Sequence, residues 1–242
     1  MADKKTFLYQ ADAVAFGGKI TLPFHEVLEG QATCALSIHG GYSQAHVENY
    51  RFKNFFSFGS ARSQAIGNYS EEDKAYFSMA SVCIEKINVM DMITCDRIIS
   101  RVSAMYPNQE NPAEVQITPL GCSFENLRID GKVINVQLAT SFFNQYPTFS
   151  SLVADKGMEA LSSLSLGQNK GQLTSYTMVS NDADFGFKDH VLEIPQFGSV
   201  RLARLFCSYN VRRVSMLEVT LGCPGEGEGN FGGAAGGGNP WP

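Results

Sequence analysis

The chain has 242 residues, 44% of them hydrophobic and 18% charged, which is the composition of a folded globular protein and not of a disordered one. Its 19 basic and 24 acidic residues give a net charge of −5, so there is no global positive field to attract a nucleic-acid backbone. No apolar run reaches the roughly 20 residues that span a bilayer. We therefore expect one domain, with no nucleic-acid partner and no membrane span.

The N-terminal residues and the cysteines bear on where the protein resides. Between Phe7 and Asp12, polar residues interrupt the apolar ones before a signal-peptide hydrophobic region forms. The six cysteines contain no C-x-x-C spacing and are interpreted as mostly buried thiols, while two or three disulfide bridges in an exported protein are an open alternative. The sequence predicts a cytoplasmic protein, with non-classical export as the alternative.

The N-terminal part of the chain predicts a hairpin and a further strand. Residues 7–15 and 19–23 are strand candidates on either side of Phe16-Gly17-Gly18, where the two glycines suit a bend. Residues 32–38 are the next strand candidate. We expect a β-rich domain to start here.

A six-residue pattern then recurs three times and predicts a structural repeat. Segments starting at Val47, Ile84 and Phe124 share the order apolar, Glu, polar, apolar, polar, apolar, at offsets of 37 and 40 residues. Each unit opens with a glutamate and closes 21 residues later with a tyrosine. These pairs are Glu48 and Tyr69, Glu85 and Tyr106, and Glu125 and Tyr146.

Each unit is interpreted as a hairpin, because a turn-prone residue separates two alternating stretches. The units cover residues 47–69, 84–106 and 124–146. Residues 92–105 also fit a helical stripe, but the repeat favours a strand there. The predicted fold is therefore all-β, or mainly β with one short helix, built of stacked hairpins in a sandwich-like or solenoid-like arrangement over residues 1–222.

The last third of the chain predicts one helix, one strand pair and a tail. Residues 149–163 are the best helix candidate, with Ser150 or Ser151 as its cap. Residues 200–209 and 211–221 should pair as strands. Residues 223–242 are rich in glycine, which predicts a flexible tail whose Trp241 serves as an interaction anchor.

An acidic stretch near residue 182 contains the metal-ligand candidates of the sequence. If Asp182 begins a calcium loop, Asp184 lies at position 3 and Glu193 at position 12, but Phe187 stands where that loop needs glycine. An acidic turn is the favoured interpretation, with these three residues as weak metal candidates. The sequence predicts no catalytic residue and no cofactor.

The one basic cluster of the sequence lies on the two late strands. It consists of Arg201, Arg204, Arg212 and Arg213. Adjacent residues of a strand point to opposite faces, so Arg212 and Arg213 cannot form one nucleic-acid-binding stripe. A solvated strand face or an acidic partner is the favoured interpretation.

Residues 84–103, with the stretch NVMDMITCDRI, and residues 121–131, GCSFENLRIDG, resemble the β-rich "choice-of-anchor" modules of bacterial surface proteins. The resemblance implies a structural or surface module, and that family has no catalytic residues to carry over.

The functional expectation follows from the repeat and from the missing catalytic motifs. We expect a non-enzymatic structural or protein-interaction module that assembles with itself through sheet edges and the C-terminal tail. A ligand-binding β module for carbohydrate is the first alternative. An enzyme without a recognisable motif is the second.

Overall fold

The computed structural model describes residues 6–107, 114–154, 162–165, 174–181, 185–222 and 225–241. The first six strands are β1 Thr6–Leu22, β2 Glu26–Ala35, β3 Gly41–Phe52, β4 Phe56–Ser70, β5 Ala75–Val89 and β6 Ile93–Pro107. Shorter elements follow: β7 Gln116–Pro119, β8 Ser123–Glu125, β9 Arg128–Ile129, β10 Lys132–Val133, α1 Thr140–Phe143, α2 Phe149–Ala154, β11 Ser162–Ser165, β12 Thr174–Thr177 and β13 Leu192–Ile194. The last strands are β14 Gly198–Cys207, β15 Val211–Leu221 and β16 Glu226–Trp241.

These strands form two antiparallel sheets. Sheet A has the order β11-β12-β14-β15-β16-β1-β2, with β13 beside β14. Sheet B has the order β10-β9-β6-β5-β4-β3, with β7 and β8 also beside β6. The sheets pack face to face, because β1 and β16 of sheet A lie against β4, β5 and β6 of sheet B. The predicted mainly-β fold is confirmed, with two short helices among the described residues in place of one. Among the described residues, no helix is long and apolar enough to cross a membrane.

Aromatic rings fill much of the space between the sheets. The Phe16 ring of β1 lies 4.6 Å from the Phe231 ring of β16 and 5.1 Å from the Phe56 ring of β4, measured between centroids. A second group joins Phe7 to Tyr76 at 4.9 Å and to Tyr106 at 5.3 Å. Rings of this size bury large apolar areas, so the two groups fix how the sheets are stacked.

The predicted N-terminal hairpin is wrong, because β1 runs without a turn from Thr6 to Leu22. Phe16-Gly17-Gly18 lies inside this strand. A Cβ atom on Gly18 would come within 2.3 Å of the Glu228 carbonyl oxygen on β16. This glycine therefore permits the close approach of a neighbouring strand, which is the other common reason for glycine in a strand.

The prediction of a flexible tail is also wrong. Residues 226–241 form β16, which pairs with β15 on one side and β1 on the other and so lies in the middle of sheet A. Its glycines make room for rings of the core. A Cβ on Gly229 would meet the Phe56 ring at 2.8 Å, and one on Gly238 would meet the Phe7 ring at 2.2 Å. The glycine content of this segment therefore reflects packing.

The first two units of the predicted repeat form hairpins with turns in equivalent places, and the third unit does not. In the first unit, Phe52 pairs with Phe56 across the turn between β3 and β4, and in the second Val89 pairs with Ile93 in the equivalent place between β5 and β6. Residues 92–105 lie in and beside strand β6, as the repeat predicted. In the third unit, Ile129 pairs with Lys132, and the chain then leaves the sheet.

The tyrosines that close the units are consequently not equivalent. Tyr69 and Tyr106 lie near the ends of β4 and β6, whereas Tyr146 follows helix α1. The glutamates that open the units, in contrast, lie on one row of paired residues that crosses the strands of sheet B. Glu48 lies opposite Ser60, Ser60 opposite Glu85, Glu85 opposite Arg97, and Arg97 opposite Glu125.

Both sheets contain a line along which regular pairing is interrupted. In sheet A the line runs through Ala203, Met216, Gly232, Ala15 and Ala32, and in sheet B through Asn49, Gly59, Lys86, Asp96 and Asn126. On alternate strands the residue in the line has a positive φ, between 46° and 71°. In sheet B these left-handed residues are the third residues of the three repeated segments, directly after the shared glutamates.

The helix prediction is correct at its start only. Helix α2 begins at Phe149 and ends at Ala154, and residues 162–165 form β11. Thr148 is the capping residue, because its Oγ1 accepts a hydrogen bond of 3.1 Å from the Ser151 N–H. Neither Ser150 nor Ser151 is the cap, although the Ser151 side chain completes the turn by donating to the Thr148 carbonyl.

Candidate functional site

Two surface features of the sandwich are candidates for function, and the first is an open edge. Among the described strands, β2 pairs only with β1 and β3 pairs only with β4. On the opposite side, the outer edge of β6 is covered by β7, β8 and β9, and that of β14 by β12 and β13. The long strands are therefore covered on one side of the molecule and open on the other.

Strand β3 is the more regular of the two open edges. It pairs with β4 at every residue from Gly41 to Glu48, before the interruption at Asn49. Tyr42 is 56% exposed, and its hydroxyl donates a 2.7 Å hydrogen bond to the Gln44 side chain. His46 Nε2 lies 3.5 Å from a Glu48 carboxylate oxygen. This edge therefore presents alternating polar side chains.

The second feature is a groove on the outer face of sheet A. Two adjoining depressions of about 550 and 420 Å³ share Glu218 and Asn230. The register places their walls on β14 and β15 and on β1, with β16 between. The outward residues of β16 are small here, as at Gly233 and Ala235, so the floor of the groove lies lower than its walls.

Ion pairs join the walls of the groove. Arg204 Nη1 on β14 donates to Glu218 Oε2 on β15 at 2.7 Å, and both side chains are less than one-fifth exposed. The Arg204 guanidinium also stacks on the Phe206 ring at 4.4 Å. Arg213 and Asp12 pair at 2.8 Å across β16. Most of the charge in the groove is thus neutralised within it.

Arg201 is the exception. It lies opposite Glu218 in the register, but the Glu218 carboxylate is bound by Arg204. Arg201 makes no ion pair with a described residue. Lys19, at the same end of the groove, is paired with Glu228 at 3.2 Å. Among the described residues that line the groove, Arg201 is therefore the one cation without an ion-pair partner.

The predicted basic cluster is divided between the two faces, as its spacing indicated. Arg212 points away from the groove and is 1% exposed. Its Nη2 donates to the Tyr146 carbonyl at 2.6 Å and to the Thr148 carbonyl at 2.9 Å. Burial lowers the pKa of Arg212, and the nearby Glu114 carboxylate opposes this. Arg212 therefore anchors the loop before α2 and takes no part in the groove.

The other predicted site residues do not converge. Asp182 and Asp184 lie outside the described residues, and Glu193 is exposed on β13. Within the part of the chain that the structure describes, no three histidine, cysteine or acidic side chains are grouped to hold a metal ion. Trp241 pairs through its backbone with Thr6 at the end of β16, so the segment that carries it is not a free anchor.

Four of the described cysteines lie in the interior, which confirms the prediction of mostly buried thiols. They are Cys34, Cys95, Cys122 and Cys207. Burial raises the pKa of Cys95 to about 11 and that of Cys207 to about 12. Cys83 is only half-buried, on the outer face of sheet B. None of these five thiols resembles an activated nucleophile, whose pKa is lowered.

A family model described as "Domain of unknown function (DUF8256)" matches residues 7–181. The chain belongs to this family. No curated protein and no solved structure matches the chain. The resemblance to choice-of-anchor modules stays a prediction.

The DUF8256 match contains the open edge completely and the groove only in part. It includes all strands of sheet B, and therefore the open edge at β3. It also includes β1 and β2 of sheet A but ends before β14, β15 and β16. In the DUF8256 region the groove thus has only the wall on β1, while Arg201, Arg204 and Glu218 lie beyond it. Sequence reasoning missed the groove because its walls come from opposite ends of the chain.

Proposed function

We propose that this DUF8256 protein is a non-enzymatic interaction module that assembles with a second copy of itself by pairing β3 with β3. The observation that carries the proposal is that β3 is a twelve-residue edge strand with one neighbour among the described strands, while the outer edge of β6 on the opposite side of the sheet is covered. An uncovered edge strand is a template for strand addition. Residues 41–48 contain neither lysine nor proline, the residues that most often block such pairing.

The side chains of β3 suit antiparallel pairing about a two-fold axis at Ala45. In this register Gln44 faces His46 of the second copy, and Tyr42 faces Glu48. The Tyr42 hydroxyl and the Glu48 carboxylate are a donor and an acceptor, and no like charges stand opposite each other. The pairing ends at Asn49, where the positive φ of 52° interrupts the strand. Seven residues from each copy, 42–48, would form the ladder.

The tail has no part in this proposal. Because β16 is a central strand of sheet A, removing it should unfold the domain and not merely change its assembly. Loss of oligomer on deletion of residues 225–242 would therefore carry no information about an interaction role.

The experiment compares two substitutions of the exposed Tyr42 by light scattering and sedimentation. Tyr42→Glu places a carboxylate opposite Glu48, and like charges directly opposite each other cost roughly 0.2–1 kcal/mol per pair, twice over in a symmetric dimer. We expect its dimer dissociation constant to rise about two- to thirtyfold. Tyr42→Lys loses the same hydrogen bond to Gln44 but faces Glu48 with the opposite charge, so it should remain dimeric.

The double variant Tyr42→Glu with Glu48→Lys tests the register, because it restores opposite charges and should restore the dimer. Circular dichroism melts would establish that all variants are folded. A wild-type protein that stays monomeric at every concentration would overturn the proposal. Equal dimer stability in the Glu and Lys variants would overturn the register about Ala45.

A further inference from the structure

We infer that the groove on the outer face of sheet A is a binding site for a sugar chain that carries a carboxylate, with Arg201 as the group that binds that carboxylate. This site is distinct from the β3 edge, because its walls belong to β14, β15 and β1 of the other sheet.

The charge of the groove selects an anionic group. The ion pairs of Arg204 with Glu218, Lys19 with Glu228 and Arg213 with Asp12 are each complete, so the charge of Arg201 remains. A guanidinium presents paired N–H donors that match the two oxygens of a carboxylate. The neighbouring Arg204 is held by Glu218 and Phe206, so it shapes this end of the groove without competing with Arg201 for the ligand carboxylate.

The charge balance favours a ligand with a single anionic group over a polyanion. Glu218, Glu228 and Asp12 line the groove and each has a cationic partner, so Arg201 is the one cation among the described lining residues that remains for an acidic group. A ligand with one carboxylate among neutral polar groups fits this pattern. A uronic acid within an otherwise neutral oligosaccharide has that composition.

The remaining polar groups of the groove suit sugar hydroxyls. Asn230 stands where the two depressions meet, and its Oδ1 accepts a 2.9 Å hydrogen bond from Ser215, which leaves its amide N–H groups for a ligand. Gln10 and Ser208 line the far end. The small outward residue Gly233 of β16 leaves a low floor between the walls, along which a linear chain can lie as far as the Arg213–Asp12 pair.

The experiment measures binding of two matched tetrasaccharides by isothermal titration calorimetry. One has three glucose units and a terminal glucuronate, and the other has glucose in place of the glucuronate. We expect the glucuronate ligand to bind at least tenfold more tightly. Arg201→Gln should abolish this preference, and Arg201→Lys should retain only part of it because lysine binds a carboxylate through a single point.

Arg62→Gln is the matched control, because Arg62 is an exposed strand arginine on the outer face of sheet B, and it should leave binding unchanged. The Tyr42→Glu variant should also bind normally, which separates this site from the proposed dimer. Equal or absent binding of the two sugars by the folded wild-type protein would overturn the inference. Tighter binding of a short peptide with one glutamate would overturn the assignment to a sugar.

Discussion

Arg213 and Asp12 lie 201 residues apart in the sequence and form an ion pair of 2.8 Å across an intervening strand. The register explains how this is possible. Ala235 of β16 stands between them, opposite Arg213 on one side and Asp12 on the other. Because its side chain is a single methyl group, the Arg213 and Asp12 side chains can meet above it. The pair crosses the groove near its far end and ties β15 to β1.

The two ion pairs of the groove should differ in their contribution to stability. Asp12→Asn should cost less than about 1 kcal/mol, because Arg213 is 54% exposed and solvent screens the pair. Glu218→Gln should cost roughly 3 kcal/mol, because it leaves a mostly buried guanidinium without its counterion. Urea unfolding of both variants measures the difference. Equal losses would contradict the burial of the Arg204 pair.

Glycine in β16 should be required for packing and not for flexibility. Gly229→Ala places a methyl group 2.8 Å from the Phe56 ring, and overpacking of this kind costs typically about 1–3 kcal/mol. Gly17→Ala on the neighbouring β1 is the control, since nothing lies closer than 3.9 Å to its Cβ. Thermal melting should show a lower midpoint for the first variant only. A rise in stability for Gly229→Ala would restore the view that this segment is loosely held.

Arg212 and Arg213 are adjacent, yet their replacement by lysine should have different effects. Lysine at 212 cannot keep both hydrogen bonds to the Tyr146 and Thr148 carbonyls and buries a strongly hydrated ammonium, so we expect a loss of roughly 3 kcal/mol. Lysine at 213 remains at the surface, where substitutions usually change stability by less than about 0.5 kcal/mol. Denaturant titration distinguishes the two. Similar stability of both variants would show that the loop before α2 does not depend on Arg212.

The buried thiols should make the protein less stable at alkaline pH. An unfolded thiol ionises near pH 8.5, whereas burial raises the pKa of Cys95 to about 11 and of Cys207 to about 12. Between these values the unfolded state has lost protons that the folded state retains. The contribution of these thiols to the free energy of unfolding is therefore fully present below about pH 8.5 and is lost as the pH rises toward 11. Replacing both cysteines with alanine should flatten this dependence in urea titrations at pH 8 and 10, and an unchanged slope would contradict it.

The half-buried Cys83 should be the first of the five described cysteines to react with a thiol reagent. Its side chain lies on the outer face of sheet B, whereas the other four are buried. Cys83→Ser should remove the corresponding fast-labelling site in mass spectra of protein alkylated at pH 8. Rapid labelling of Cys95 or Cys207 in the folded protein would contradict their burial.

Local patterns predicted those parts of the fold that depend on local pairing. The hairpins β3–β4 and β5–β6 followed from alternation, and the equal turns at residues 53–55 and 90–92 kept their offset of 37. The third unit differs from the first two because Asp130 and Gly131 make a shorter, two-residue turn, with φ values of 52° and 72°. One residue fewer changes the register, and the alternation in the sequence does not reveal it.

Glycine composition was misleading in two places for one physical reason. At Gly18 and at Gly229 the sequence suits a bend or a flexible segment, but the glycines allow a backbone or a ring to approach closely. This approach depends on strands that are distant in sequence, as β1 and β16 are. The groove could not be predicted from the sequence for the same reason, since Asp12 and Arg213 meet only after sheet A has formed.

The position of β16 has a consequence for folding kinetics. This strand is synthesised after the other described strands, yet it joins the β1–β2 half of sheet A to the β14–β15 half. Sheet A cannot close during translation until residues 226–241 are available, and contacts of such long sequence separation form slowly. An intermediate without β16 would present β1 and β15 as open strand edges and would leave the Phe16 ring without its contact to Phe231. Open strand edges and exposed apolar rings recruit chaperones and promote aggregation.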